Sequence, residues 1–262
     1  MNTENVTVII PTFNSAVTIG RALDSIVAQS LQPTHVIVVD NASTDETLAI
    51  IRDAELRCRF RVDLIQLATN VGPGRARNIG WGYARTPLVA FLDSDDSWHP
   101  KKLERQIEVV RSHPNHHFFA HRTCHTSDAN NLSLDSGQVR YYSLRHFLVR
   151  NRVSTPTVML RTEMEFRFPE DSWYAEDFGL WTQILAAGHR AVVQNLRLTI
   201  LHKAAWGESG LSAKLDDMHD GELRVLDTLR ARHSIGRIEY EAFRAWMKLK
   251  YLRRTWIART HD

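Results

Sequence analysis

Four short apolar runs, each separated from the next by a stretch with helical spacing, most tightly constrain how this chain can fold. Val6-Thr7-Val8-Ile9-Ile10, His35-Val36-Ile37-Val38-Val39, Val62-Asp63-Leu64-Ile65-Gln66-Leu67 and Leu88-Val89-Ala90-Phe91-Leu92 are of strand length and rich in β-branched residues. Between them, Ile19 to Ala28 repeats apolar residues at Ile19, Leu23, Ile26 and Val27. Glu46 to Ile51 reads as a helix that Ser43, Thr44 or Asp45 can cap, and Arg75 to Tyr83 follows the break Gly72-Pro73-Gly74. This alternation predicts an α/β fold with a mostly parallel central sheet and helices on both faces. Near-continuous apolar character predicts that all four strands are buried on both faces.

The second half is less regular. Lys101 to Arg111 has amphipathic spacing, Phe118-Phe119-Ala120 and Thr157-Val158-Met159-Leu160 read as strands, and Val192-Val193 as a short further one. Asp128 to Gly137 is a polar segment expected to be a mobile loop. Tyr174-Ala175-Glu176-Asp177 introduces a helix from Phe178 to Ala187 that Gly188 ends, and from Ala213 onward the chain reads as helical. These features divide the chain into an α/β domain over 1-212, with halves 1-96 and 97-212, and a helical C-terminal extension over 213-262.

The 262 residues carry a net charge of +3 with mixed signs, which makes no electrostatic case for a nucleic-acid partner. Cys58 and Cys124 lack metal-ligand spacing and read as reduced thiols. Neither a signal peptide nor a run of about 18 apolar residues is present. The expected location is cytoplasmic.

Asp93-Ser94-Asp95-Asp96 places three carboxylates in four residues at the end of the fourth strand. In an α/β sheet this is the end where the binding crevice opens. If the strand continues, Asp93 and Asp95 project to one side and Ser94 and Asp96 to the other. Paired carboxylates of this kind suit a hard divalent ion, Mg2+ or Mn2+, which commonly brings a phosphate. A plain polar turn, with Asp96-Ser97 capping the next helix, is the competing reading, and Asp96 fits that role.

The ordered series Val8-Ile9-Ile10-Pro11-Thr12-Phe13-Asn14, Val38-Val39-Asp40-Asn41-Ala42-Ser43-Thr44-Asp45, Asn70-Val71-Gly72-Pro73-Gly74-Arg75-Ala76-Arg77-Asn78-Ile79-Gly80 and Asp93-Ser94-Asp95-Asp96 resembles glycosyltransferase family 2, with its GT-A fold. The likeness is tight over roughly residues 5 to 110, is carried further by Glu176-Asp177 and fades beyond about 210. It implies a nucleotide-sugar site. Pro11 and Thr12 would line the base pocket, with Phe13 as an apolar wall, and Asp40 would accept the ring N–H of a uracil. Arg77 and Asn78 would lie beside the nucleotide, whereas Arg75 reads as a surface charge. Asp93 would hold the ribose or assist the ion, with Ser94 alongside, and Asp95 would coordinate the Mn2+ or Mg2+ that bridges the donor's phosphates. His202 matches a late extra metal ligand of some GT-A enzymes, although a lone histidine also suits a satisfied surface position. Asp177 would be the catalytic base, against the plain reading that acids favour helix N-termini.

The resemblance therefore implies an inverting enzyme that moves one sugar from a nucleotide-sugar donor, a UDP-sugar in expectation, to a saccharide or lipid-linked saccharide acceptor. Bacterial surface polysaccharide synthesis, as exopolysaccharide, capsule or lipopolysaccharide, is the expected setting. Single addition is expected because the Gln-x-x-Arg-Trp motif of processive members is missing. Phe243 to Arg259 mixes aromatic and basic residues, which suits either peripheral contact with the inner face of a membrane or a helix packed on the domain. Two other classes compete. A nucleotidyltransferase on a similar fold would want a glycine-rich loop where Pro11-Thr12-Phe13-Asn14 stands, and a non-catalytic sugar-nucleotide-binding module would show no donor turnover. His121-Arg122-Thr123-Cys124-His125 lacks the spacing of a zinc cluster and reads as strand and loop.

Overall fold

A computed structural model of the chain describes residues 5–126, 137–203 and 214–260. Its first half is the expected alternation: β1 (Val6–Thr12), α1 (Ile19–Val27), β2 (His35–Asp40), α2 (Thr47–Arg57), β3 (Arg61–Gln66), α3 (Pro73–Tyr83) and β4 (Leu88–Phe91). The four strands run parallel in the order β3-β2-β1-β4. The chain therefore winds outward from β1 to β3 and then crosses back to the other side of β1. This reversal makes the β1/β4 boundary the switch point of the sheet, where an open α/β sheet leaves a crevice.

The register widens that crevice. β1 pairs with β2 as far as Thr12 opposite Asp40, but with β4 only as far as Ile9 opposite Phe91. Pro11, which has no N–H to give, thus falls beyond the ladder on the β4 side. Along β1, Val6, Val8 and Ile10 enter one apolar cluster with α1, α2 and the helix α4 (Lys102–Ser112), while Ile9 enters the other. Burial on both faces holds for β1, β2 and β4. It fails for β3, an edge strand with exposed ends, because no strand among the described residues pairs beyond it.

The remaining strands are β5 (Ser97–Trp98), β6 (Phe118–His125), β7 (Val139–Tyr142), β8 (Met159–Arg161) and β9 (Ala191–Leu201). β8 joins β4 to β6 through antiparallel pairs, β6 and β9 run parallel, and β5 and β7 flank opposite ends of β9. β9 is much longer than Val192-Val193 alone, because its polar residues sit where β5, β6 and β7 pair with it. His121 to His125 is strand throughout. Of the expected mobile segment, residues 128–136 lie outside the described residues.

α5 (Leu144–Val149), α6 (Glu176–Ala186), α7 (Leu215–Ala231) and α8 (Arg237–Thr260) cover the second half. Leu226, Leu229 and Met247 of α7 and α8 are buried in the same cluster as Trp181 and Phe168. The C-terminal helices therefore complete the core behind the second half of the sheet.

Candidate active site

The loops that follow β1 and β2 meet at the crevice. Asn14 and Ala42 both adopt left-handed backbone, with φ of 46° and 66°, a conformation non-glycine residues hold only when their surroundings enforce it. Here the two loops hold each other: the Asn14 N–H donates to Ser43 Oγ at 2.9 Å, and the Thr44 N–H donates to Asn14 Oδ1 at 2.8 Å. Asp40, 2% exposed, takes the Ser43 N–H on Oδ2 at 3.2 Å. Its Oδ1 and Thr12 Oγ1 have no hydrogen-bond partner among the described residues. Two buried polar atoms on paired residues at the crevice call for a ligand donor or water. Phe13 stands half-exposed at the rim.

Arg77, on α3, is 5% exposed and ties two acidic segments together. Nη2 donates to Asp93 Oδ1 at 2.6 Å and Nη1 to Glu176 Oε1 at 2.9 Å, with the guanidinium 5.3 Å from the Phe168 ring. Burial alone would lower its pKa, but the two carboxylates outweigh burial and the net shift is upward. The glycines at the start of α3 make room for this arrangement. A Cβ on Gly74 would lie 2.9 Å from Glu176 Cγ, and Gly72, at φ 87°, faces the Trp173 ring. Asn78 is buried and bonded to the Phe168 backbone in both directions, so it holds the wall of the site. Arg75 reaches only Glu170, at 3.6 Å on the surface.

The acidic run does not continue β4 as a strand. It closes a turn, with the Asp96 N–H donating to Asp93 O at 3.1 Å, so strict alternation of its side chains does not apply. Asp93 and Asp95 remain partly exposed. Asp96 is buried and caps no helix, since α4 begins only at Lys102. Burial, and then Asp93 and Asp95, push its carboxyl up to about 8, against the pull of the His202 N–H and Lys203. Asp95 pairs with Lys203 Nζ at 2.7 Å, and its backbone carbonyl accepts from Arg21 at 2.7 Å. Ser94 Oγ meets Ser15 Oγ at 2.8 Å, linking this turn to the β1 loop. His202 turns its Nε2 to Ser97 Oγ at 2.7 Å, and burial, then Arg21, lowers its pKa.

Among the described residues no three His, Cys, Asp or Glu side chains converge as a ready-made metal cage. The donor set nonetheless fits Mg2+ or Mn2+ of the kind held by one or two carboxylates, with phosphate and water completing the shell. The crowding that lifts Asp96 and the cation drawn onto Asp95 both report the negative potential that such an ion answers.

Glu176 and Asp177 lie inside the first turn of α6, two residues earlier than the expected helix start. Ala175 precedes them at φ 56°, and of the two acids Glu176 meets Arg77. Asp177 Oδ1 accepts the Phe178 N–H at 2.6 Å, and Oδ2 has a long contact of 3.4 Å with Asn151 Nδ2. Burial, then the neighbouring Glu176, raises its carboxyl to about 7. At that value it both accepts and releases a proton near neutrality. Reading the sequence alone missed Glu176 as a partner of Arg77, and Lys203 and Arg21 as cations on Asp95. The Glu176-Asp177 pair was a usable signal for the first, whereas the two cations stand in no recognisable motif.

A parallel sheet with an acidic turn at its switch point, extended by antiparallel strands that bring a second acidic pair to the same crevice, is the GT-A arrangement. Residues 7–164 match the family described as Glycosyl transferase family 2, and the chain belongs to that family. It is 32% identical over 212 residues to the succinoglycan biosynthesis protein ExoO of Rhizobium meliloti, covering 72% of this chain and 58% of that protein. It is 38% identical over 105 residues to the putative teichuronic acid biosynthesis glycosyltransferase TuaG of Bacillus subtilis, covering 40% of this chain and 41% of that protein. The chain thus spans less than two thirds of the length of either relative. Among solved structures it resembles TarS of S. aureus in complex with UDP, with a TM-score of 0.69 and 22% identity over 93% of this chain and 70% of that one. It also resembles the mannosyltransferase PcManGT of Pyrobaculum calidifontis in complex with GDP-Man and Mn2+, with a TM-score of 0.69 and 19% identity over 98% and 76% of the two chains. These likenesses establish the fold.

Proposed function

We propose that the chain transfers a single sugar, with inversion, from a nucleotide-sugar donor to a saccharide or lipid-linked saccharide in bacterial surface polysaccharide synthesis. The observation that carries this reading is the Arg77 bridge. It joins Asp93, on the donor side, to Glu176, whose neighbour Asp177 has a carboxyl near neutrality. Asp177 would take the proton of the acceptor hydroxyl as that oxygen attacks the anomeric carbon from the face opposite the leaving diphosphate. One protein carboxylate suffices for direct inversion, unlike the pair that hydrolases use. The unpartnered Oδ1 of Asp40 supports a base that offers an N–H, as uracil does, and so a UDP-sugar donor. Asp95, with Asp93 beside it and His202 if its ring leaves Ser97, would hold Mn2+ or Mg2+. When bound, that ion supplies charge neutralisation at the leaving diphosphate.

Incubating the chain with a panel of UDP-sugars, Mn2+ and saccharide acceptors tests the reading. Release of nucleoside diphosphate is the expected result. Release of pyrophosphate would instead indicate nucleotidyl transfer, and binding without turnover a non-catalytic module.

We further infer that catalysis resides in residues 1–212 and that 213–262 includes a peripheral membrane contact. Trp246, Leu249, Leu252 and Trp256 lie along one side of α8 and are 40–67% exposed, beside the exposed Lys248 and Arg253. Aromatic and basic residues on one face suit an anionic lipid surface. No helix among the described residues is long and apolar enough to cross a membrane. Flotation with anionic vesicles should recover the chain in the lipid fraction, and Trp246→Ala combined with Trp256→Ala should abolish that recovery. Wild-type protein that stays with the soluble fraction would exclude the contact.

A further inference from the structure

Lys203 pairs with the carboxylate that the proposed function gives to a divalent ion. Its Nζ lies 2.7 Å from Asp95 Oδ2, and the fold, rather than the reach of a long side chain, brings it there. β9 ends at Leu201 while paired with β5, with Ile200 opposite Ser97. The next residue, His202, is fastened twice to the acidic turn: its Nε2 meets Ser97 Oγ at 2.7 Å, and its N–H serves the Asp96 carboxyl. The backbone of Lys203 is therefore carried across the turn. Arg21 also approaches Asp95 but binds the backbone carbonyl, so the carboxylate is left to Lys203.

An ammonium and a divalent ion on one carboxylate repel each other across a few ångströms, so each weakens the other's hold. Lys203 has somewhere else to go. Its side chain is 52% exposed, and a lysine is a compact cation on a flexible stem that binds phosphate as a point charge. The Arg77 guanidinium is engaged at both ends, by Asp93 and Glu176, which leaves Lys203 the more mobile cation. Resting on the glycosyltransferase reading above, we propose that Lys203 is the exchangeable counter-ion of Asp95, yielding the carboxylate to a divalent ion and passing to the diphosphate of the donor.

The two halves of this exchange predict opposite signs for one substitution. With Mn2+ alone, followed by the loss of the free-ion electron paramagnetic resonance signal, Lys203→Met should bind about fivefold more tightly than wild type. That is the equilibrium equivalent of removing a well-formed exposed ion pair. With Mn2+ saturating, UDP titrated calorimetrically should bind Lys203→Met about fivefold more weakly, and Lys203→Arg should restore both constants toward wild type. A misplaced loop would weaken both. Unchanged or weaker Mn2+ binding by Lys203→Met would overturn the competition, and unchanged UDP affinity would overturn the transfer to phosphate. If Mn2+ binds neither protein, with or without UDP, the metal reading itself fails and takes the inference with it.

Discussion

On the proposed function Asp177 is the general base, and its environment sets when that carboxyl works. Burial and Glu176 raise it to about 7, so below neutrality it holds its proton and cannot take one from an acceptor. The rate of sugar transfer should therefore rise with pH through about 7 and level off above it. Asp177→Asn should lower transfer by about 10²–10⁴-fold, the usual worth of a positioned general base, while UDP affinity stays within about twofold. A near-wild-type rate would move the base to Glu176. At this scale the individual acids were legible in the sequence, because Asp40, Asp95 and Asp177 each sit at the end of a recognisable strand or the start of a helix. The bonds among them were not. Arg77 reads as a neighbour of the nucleotide, yet its two partners lie 16 and 99 residues away, and only the crossing of α3 over the sheet brings them together. Asp96 reads as a cap, yet burial and its two acidic neighbours make it a suppressed acid.

Among the elements, α4 contains a conflict that the mechanism does not use. Lys102, at its start, is fully buried. Its Nζ lies 3.7 Å from the centre of the Trp98 ring and has no hydrogen-bond partner among the described residues. Burial pushes the amine well below its ordinary pKa. His121 of β6, also fully buried, is pushed down to about 3, first by burial and then by Lys102. Lys102→Met keeps the stem and removes the amine, and should stabilise the fold by about 1–3 kcal/mol, since an unpartnered buried polar group costs about that much. The pH dependence has a definite sign. Below about pH 10 the unfolded chain binds the Lys102 proton more fully than the folded chain does, so wild-type stability from this residue increases as pH rises. The advantage of Lys102→Met should therefore be largest near pH 6 and smaller near pH 9 in urea titrations. A destabilised variant would mean that the Trp98 contact outweighs burial. Amphipathic spacing predicted α4 almost to the residue, but carries no sign that Lys102 is buried. The first-half strands were legible for the same reason, being apolar and β-branched. β9 was not, because its exposed and polar positions hide eleven residues of strand whose pairing partners lie far along the chain.

For the whole molecule, the question is how helices far from the donor crevice act on it. α7 packs against the loop that aims the acidic pair: a Cβ on Gly221 would lie 2.6 Å from the Tyr174 carbonyl oxygen and 3.2 Å from Ala175 Cβ. Ala175 is the left-handed residue immediately before Glu176, so the glycine fixes how closely α7 supports the turn that positions Asp177. The obstacle is backbone, which cannot rotate aside as a side chain would. Gly221→Ala should therefore cost about 1–3 kcal/mol of stability, the range for overpacking a well-filled interface. It should also reduce transfer more than tenfold by displacing a group whose position is critical to about 1 Å. UDP affinity should stay within about twofold, because Asp40 and Thr12 lie in the other half of the sheet, at the ends of β2 and β1. Gly82→Ala supplies the comparison. A Cβ there meets nothing within 4 Å, so this variant should match wild type in turnover and equal or exceed it in thermal stability, as Gly-to-Ala changes in helices do. Thermal unfolding, UDP calorimetry and turnover measured on both variants separate the outcomes. Full activity in a destabilised Gly221→Ala would show that α7 supports the fold without setting the geometry of the acidic pair.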